Sequence, residues 1–120
     1  MPAALPPATT LGRRIRAARL AKELTQAQLG ERLFGEDDPN VAAPRVSRWE
    51  RGMHKPDLDT IERLAKLLDL PAAYFVASSE VVAEAILLLS QLRPARQREV
   101  VKLLRELAAE AQLPSDKSNG

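Results

Sequence analysis

The sequence predicts an all-α protein in which five helices share one core and a helical hairpin follows. Three observations lead there. Apolar residues recur at steps of three and four along most of the chain. Residues with helix-start and helix-stop chemistry fall between these periodic stretches. No segment alternates apolar with polar residues in the manner of a half-buried strand. A length of 120 residues gives room for one domain with a modest core plus an accessory hairpin.

Residues 1 to 9 form a Pro/Ala-rich stretch without a basic residue, expected as a disordered lead-in. The first helix follows, with Leu11, Ile15, Ala18 and the pair Arg19-Leu20 as its apolar steps and Arg13, Arg14, Arg16 and Lys22 around them. Those basic residues, Arg19 excepted, read as a solvated helix face. Leu24-Thr25-Gln26-Ala27-Gln28-Leu29 opens a second helix, because Thr25 is a good N-cap and Gln28 stands three residues on, as a capping box requires. Leu29 and Leu33 form its buried stripe. Gly30 is costly inside a helix and implies that another backbone passes close by. The helix is expected to reach Phe34 and stop at Gly35.

Glu36-Asp37-Asp38-Pro39-Asn40 has no apolar period and reads as a turn. A short basic helix over residues 43 to 51 comes next, started by Pro44, whose fixed backbone angle suits a first helical turn. Val46 and Trp49 share one face, while Arg45, Ser47, Arg48 and Arg51 fall elsewhere. Gly52 closes the helix through the left-handed conformation. So short a helix cannot persist alone in water and must be held through Val46 and Trp49, which leaves its basic side to be presented. Trp49 accordingly reads as core. Residues 52 to 57 form a loop containing His54, an exposed side chain with no ligand set around it.

Asp57 caps a fourth helix with Leu58, Ile61, Leu64, Ala65 and Leu68 on one face, and Pro71 starts a short fifth helix whose Tyr74 and Phe75 seal the core. From Glu80 the pattern changes: Val81, Val82, Ala85, Ile86, Leu88, Leu89 and Leu92 cover more than one stripe. Pro94 begins another helix with Val100, Val101, Leu103, Leu104, Leu107, Ala108 and Ala111 on a broad apolar face. The two make a hairpin over 80–112. Its excess of Leu and Val points to self-association. Residues 113–120 are expected as a flexible tail, and residues 10–77 as the five-helix domain.

Eighteen basic and sixteen acidic residues leave a net charge of +2, so clustering tells more than the sum. Basic residues gather before Lys22 and again between Arg45 and Lys55. The absence of cysteine excludes a disulfide scaffold, Cys-ligated zinc and thiol catalysis, and fits a cytoplasmic protein. No stretch reads as a signal peptide or a membrane span. There is no nucleophile paired with a base, no glycine-rich phosphate cradle and no metal-ligand spacing, so neither an enzyme, a cofactor nor a metal is expected.

Four motifs in order, Leu11-Gly12-Arg13-Arg14-Ile15-Arg16, Leu24-Thr25-Gln26-Ala27-Gln28-Leu29, Val46-Ser47-Arg48-Trp49-Glu50-Arg51-Gly52 and Lys55-Pro56, resemble the Xre/Cro type of helix-turn-helix, the family of the lambda repressor's DNA-binding domain. The resemblance covers about residues 11 to 76 and implies a five-helix, lambda-repressor-like domain whose third helix lies in the DNA major groove. It implies base contacts by Arg48 first, through bidentate hydrogen bonds to guanine, with Arg45 and Ser47 next. The family's reading positions at the start of this helix match Ala42, Ala43 and Pro44, which offer apolar contact such as that of Ala43 with a thymine methyl. Gln26 matches a phosphate-contacting glutamine, and Arg51 and Lys55 are placed for the backbone of the same duplex. Arg19 and Glu50 match a structural ion pair between the first and third helices. The turn before the third helix is several residues longer than the family's usual spacing, and its acids repel phosphate.

The function expected on these grounds is a sequence-specific, double-stranded-DNA-binding transcriptional regulator, a repressor that forms a homodimer through its C-terminal hairpin. The alternative is an antitoxin-like or adaptor module that binds a protein partner through the acidic loop and the apolar hairpin.

Overall fold

A computed structural model of the chain describes residues 9–35 and 38–112. The N-terminal arm up to residue 8, the tail over 113–120, and Glu36 and Asp37 of the turn lie outside these described residues. The described residues form seven helices and no strand: α1 (Thr10–Ala21), α2 (Gln26–Phe34), α3 (Pro39–Glu50), α4 (Leu58–Leu68), α5 (Ala72–Val76), α6 (Glu80–Ser90) and α7 (Pro94–Ala111).

Local chemistry accounts for most of the ends. Thr9 Oγ1 accepts the Gly12 amide at 3.0 Å to start α1. At α2, Thr25 Oγ1 accepts the Gln28 amide at 3.0 Å and Gln28 Oε1 accepts the Thr25 amide at 2.8 Å, a complete capping box. Gly35 closes α2 with a positive φ of 67°. Asp57 Oδ1 accepts the Thr60 amide at 2.8 Å to start α4. Its hydrogen bonds to Thr60, assisted by the charge of Arg63, hold the Asp57 carboxyl below the ordinary aspartate range.

The third helix departs from the expected boundaries. It begins at Pro39, one full turn before residue 43, and Pro44 lies inside it and does not start it. The cause is a stronger start signal upstream. The Asp38 side chain accepts the Asn40 amide at 2.9 Å, its carbonyl accepts those of Val41 and Ala42 at 2.9 and 3.0 Å, and Pro39 occupies a first-turn position where no donor is needed. Pro44 cannot donate to the Asn40 carbonyl, and an interior proline costs about 3 kcal/mol or more. Packing offsets this cost, because the added turn buries Ala42 against α2 at Gly30. A Cβ at Gly30 would stand 2.8 Å from both the Ala42 Cβ and the Ala42 carbonyl oxygen. Pro39 and Asn40, read from the sequence as part of the turn, are therefore helical.

The core is drawn from α1 to α5. Ile15, Leu29, Val46, Leu64 and Phe75 are fully buried at its centre, with Trp49, Leu33, Ile61 and Leu68 around them. On α1 the inward step is taken by Arg19; Leu20 is 52% exposed, contrary to its expected place in the apolar stripe. Arg14 also departs from expectation, since it is buried instead of solvated. Its Nη1 donates to the carbonyls of Tyr74 and Ala77 at 2.9 and 2.8 Å, and its Nη2 lies 3.5 Å from the Glu80 carboxylate. Arg14 thus ties α1 to the end of α5 and the start of α6. A five-residue helix has few internal hydrogen bonds, so its last carbonyls need such a donor.

Beyond this clasp the chain leaves the core. Ala83 is buried on α6, and no residue of α7 is buried. The two helices of the hairpin touch along Gln97, whose Nε2 donates to the Leu89 carbonyl at 2.9 Å. At 1.5 Å per residue, the 18-residue α7 outreaches the 11-residue α6 by about 10 Å.

Candidate nucleic-acid interface

Helix α3 is fixed from beneath by apolar contact and by one ion pair. Val46 and Trp49 face the core, and the Trp49 ring meets Phe34 with centroids 5.9 Å apart. Arg19 Nε donates to Glu50 Oε2 at 2.6 Å and Arg19 Nη2 donates to Glu50 Oε1 at 3.0 Å, a bidentate pair that is buried on both sides. Arg19 Nη1 also donates to the Leu24 carbonyl at 2.9 Å, and Gln26 Nε2 donates to Glu50 Oε1 at 3.0 Å. The buried carboxylate therefore has three donors drawn from α1 and α2. One network sets α3 relative to both preceding helices.

Two rows of side chains point away from this foundation. Asn40, Pro44, Ser47 and Arg51 follow one another at helical steps of four, three and four, so they share a side of α3. With Pro39, Ala43 and Gln26 of the α2 N-terminus they line one shallow open concavity. Val41, Arg45 and Arg48 form the second row. The structure thus gathers Gln26, Ala43, Ser47 and Arg51 on a common surface and sets Arg48 on the adjoining row.

The remaining sequence-derived residues stand in different surroundings. Arg48 is half-buried and its guanidinium has no hydrogen bond or ion pair among the described residues; its carbonyl accepts the Met53 and His54 amides at 2.9 and 3.3 Å, which turns the chain after α3. Arg45 is exposed, with its guanidinium 4.3 Å from the Phe34 ring centroid, a cation–π contact that draws it toward the α2 C-terminus. Lys55 is exposed in the loop beyond α3, away from the residues lining the concavity. Ala42, at a family reading position, is buried against Gly30 and unavailable to an outside ligand.

Arg51 carries a second kind of signal. Its Nε is buried with no hydrogen-bond partner among the described residues, and Arg51 itself lines the concavity. Most buried polar groups have one, so an orphaned donor beside a polar surface suits an incoming acceptor. The first amides of α2 add a positive end beside Gln26. The surface as a whole offers neutral and cationic donors on a helix held rigidly from behind.

Comparison with known proteins agrees with this geometry. A family model described as helix-turn-helix matches residues 15–75, half of the chain, which takes in α2, α3 and α4 with most of α1 and α5. The chain belongs to the Xre/Cro-type helix-turn-helix family. Within this helix-turn-helix family, the HTH-type transcriptional regulator ImmR of Bacillus subtilis (strain 168) is 31% identical over 72 residues, covering 60% of this chain and 52% of that protein. The immunity repressor protein of Bacillus phage phi105 is 31% identical over 75 residues, 62% of this chain and 48% of that protein. The chain spans about half the length of these curated relatives. A crystal structure of the transcriptional regulator BswR is similar with a TM-score of 0.71 and 36% identity, covering 82% of this chain and 96% of that one. Coverage of that extent exceeds what α1 to α5 alone supply, so the likeness runs into the hairpin. No helix among the described residues is long and apolar enough to cross a membrane.

Proposed function

We propose that this helix-turn-helix protein is a sequence-specific, double-stranded-DNA-binding transcriptional regulator acting as a repressor in the cytoplasm, and that two copies join through the α6–α7 hairpin. The observation that carries the reading is the outward side of α3. It is a polar and basic surface, continuous with the α2 N-terminus, on a helix locked from beneath by Trp49 and the Arg19–Glu50 pair. Such a helix fits the major groove while α2 crosses the backbone. Arg48 is assigned to a guanine edge, Ser47 and Ala43 to neighbouring base edges, and Gln26, Arg51 and Lys55 to phosphates. Arg45, stacked on Phe34, reaches the bases only by leaving that ring.

A repressor occupies DNA and needs no further chemistry, which suits a chain whose described surface is a docking face. The relatives named as a repressor and as regulators support this choice. Selection of bound oligonucleotides from a random duplex pool tests the proposal. A recovered palindrome with half-sites about 34 Å apart is the expected result. Recovery of no shared sequence, at any salt concentration that permits binding, would reject it.

A further inference from the structure

The turn that precedes residue 43 in α3 puts a side chain on the concavity that the family resemblance does not supply. We infer that Asn40 is a base-reading residue, specific for adenine, at the outer edge of each half-site. This rests on the reading of α3 as the groove-entering helix. Asn40 is exposed in the first turn of α3 and begins the row that continues through Pro44, Ser47 and Arg51. It lines the same surface as Gln26 and the orphaned Arg51 Nε. The first residues of such a helix are the ones that meet base edges.

Structural roles for this side chain are already filled. Capping of α3 is done by Asp38, which accepts the Asn40 backbone amide. The Asn40 carboxamide itself makes no hydrogen bond among the described residues. Asn40 is the second residue of α3 and does not cap it, so no local role holds its exposed carboxamide. A carboxamide carries a donor and an acceptor side by side, which matches adenine N7 and N6 in the major groove. The positions that usually read bases here are Ala43, which has only a methyl, and Pro44, which has no donor. The added turn therefore restores a polar reader one turn earlier. Exposed Val41 beside it gives an apolar surface for the thymine methyl.

The Asp38 carboxylate, 2.9 Å from the Asn40 backbone amide, disfavours phosphate beside it. Recognition at this edge is accordingly neutral, and it is separable from the salt-dependent part of binding. The test is selection from a random duplex pool with the full chain, its Asn40→Ala variant and its Asn40→Asp variant, alongside thermal melting of each. Wild type is expected to recover adenine at one outer position of each half-site. Asn40→Ala should lose that preference, with about a tenfold or greater loss on the wild-type site, an unaltered salt slope and an unchanged melting temperature. Asn40→Asp should exchange adenine for cytosine, whose N4 amino group donates to a carboxylate. An unchanged consensus from Asn40→Ala, or a uniform loss on all sequences, overturns the assignment while leaving DNA recognition by α3 standing. A wild-type protein that recovers no consensus overturns both.

Discussion

Arg48 and Lys55 carry the same charge within eight positions of one another, yet they relate differently to a duplex lying on α3. Arg48 stands on the helix with no hydrogen bond or ion pair to its guanidinium among the described residues, and under the proposed function its planar fork is assigned to a base edge; Lys55, in the loop beyond the helix, is assigned there to the DNA backbone. Arg48→Ala is expected to cost about 1 to 3 kcal/mol on the cognate site and to relax one position of the sequence. Lys55→Ala is expected to weaken cognate and random DNA alike and to lower the salt slope by about one. Fluorescence anisotropy titrations over a series of salt concentrations separate the two. Equal losses on both DNAs for Arg48→Ala would remove it from the base-reading set. Arg19, by contrast, belongs to the scaffold. Removing it leaves the Glu50 carboxylate buried with Gln26 as its remaining side-chain donor among the described residues, so Arg19→Ala is expected to cost about 3 to 5 kcal/mol of folding stability in urea denaturation. A change of less than about 1 kcal/mol would place the pair among exposed ones.

At the scale of the helices, the contact between Gly30 and Ala42 decides where α3 lies. Replacing glycine by alanine in a helix interior ordinarily stabilises by about 1 kcal/mol. Here the new methyl meets backbone and a short side chain at 2.8 Å, neither of which can swing away, so α3 must shift off α2. Gly30→Ala is therefore expected to lower the urea midpoint and to weaken DNA binding; a raised midpoint with unchanged binding would show that the close approach is not needed. The need for a glycine at residue 30 was legible from sequence, as were the Thr25 capping box, the Gly35 and Gly52 stops and the inward face of Val46 and Trp49, because each depends on residues a few positions apart. The start of α3 was not, since Pro39 and Pro44 both suit a first turn and only the packing of Ala42 chooses between them. Arg14 was equally hidden. It sits among three other basic residues on α1, and its acceptors lie about 60 positions away, so nothing local marks it as buried. Asn40, proposed above as a reader in the added turn, escaped for the same reason as the start of the helix.

For the molecule as a whole, the hairpin poses a question that the core does not answer. Val81, Val82, Leu88, Leu92, Leu103, Leu104 and Leu107 are all exposed along the hairpin formed by α6, α7 and their connection, while the five-helix part encloses its own core. Apolar surface concentrated on one projecting element is the kind that closes against a copy of itself, because a twofold axis lets each patch meet its equivalent. Such an axis would also set two α3 helices facing the same side of a duplex, about one helical turn apart. Arg14, hydrogen-bonded where α5 hands over to α6, would then fix the angle between the reading surface and the dimer contact. The double substitution Leu104→Glu with Leu107→Glu puts like charges on this face without touching the α1 to α5 core. Sedimentation equilibrium is expected to give about twice 13.2 kDa for the wild type and 13.2 kDa for the variant, with helical circular dichroism retained. Binding to a palindromic site should fall steeply in the variant while binding to an isolated half-site stays the same, since linked half-sites gain from effective concentration. A wild-type chain that sediments as a monomer at tens of micromolar and still binds the full site as one unit would remove the hairpin from the dimer contact.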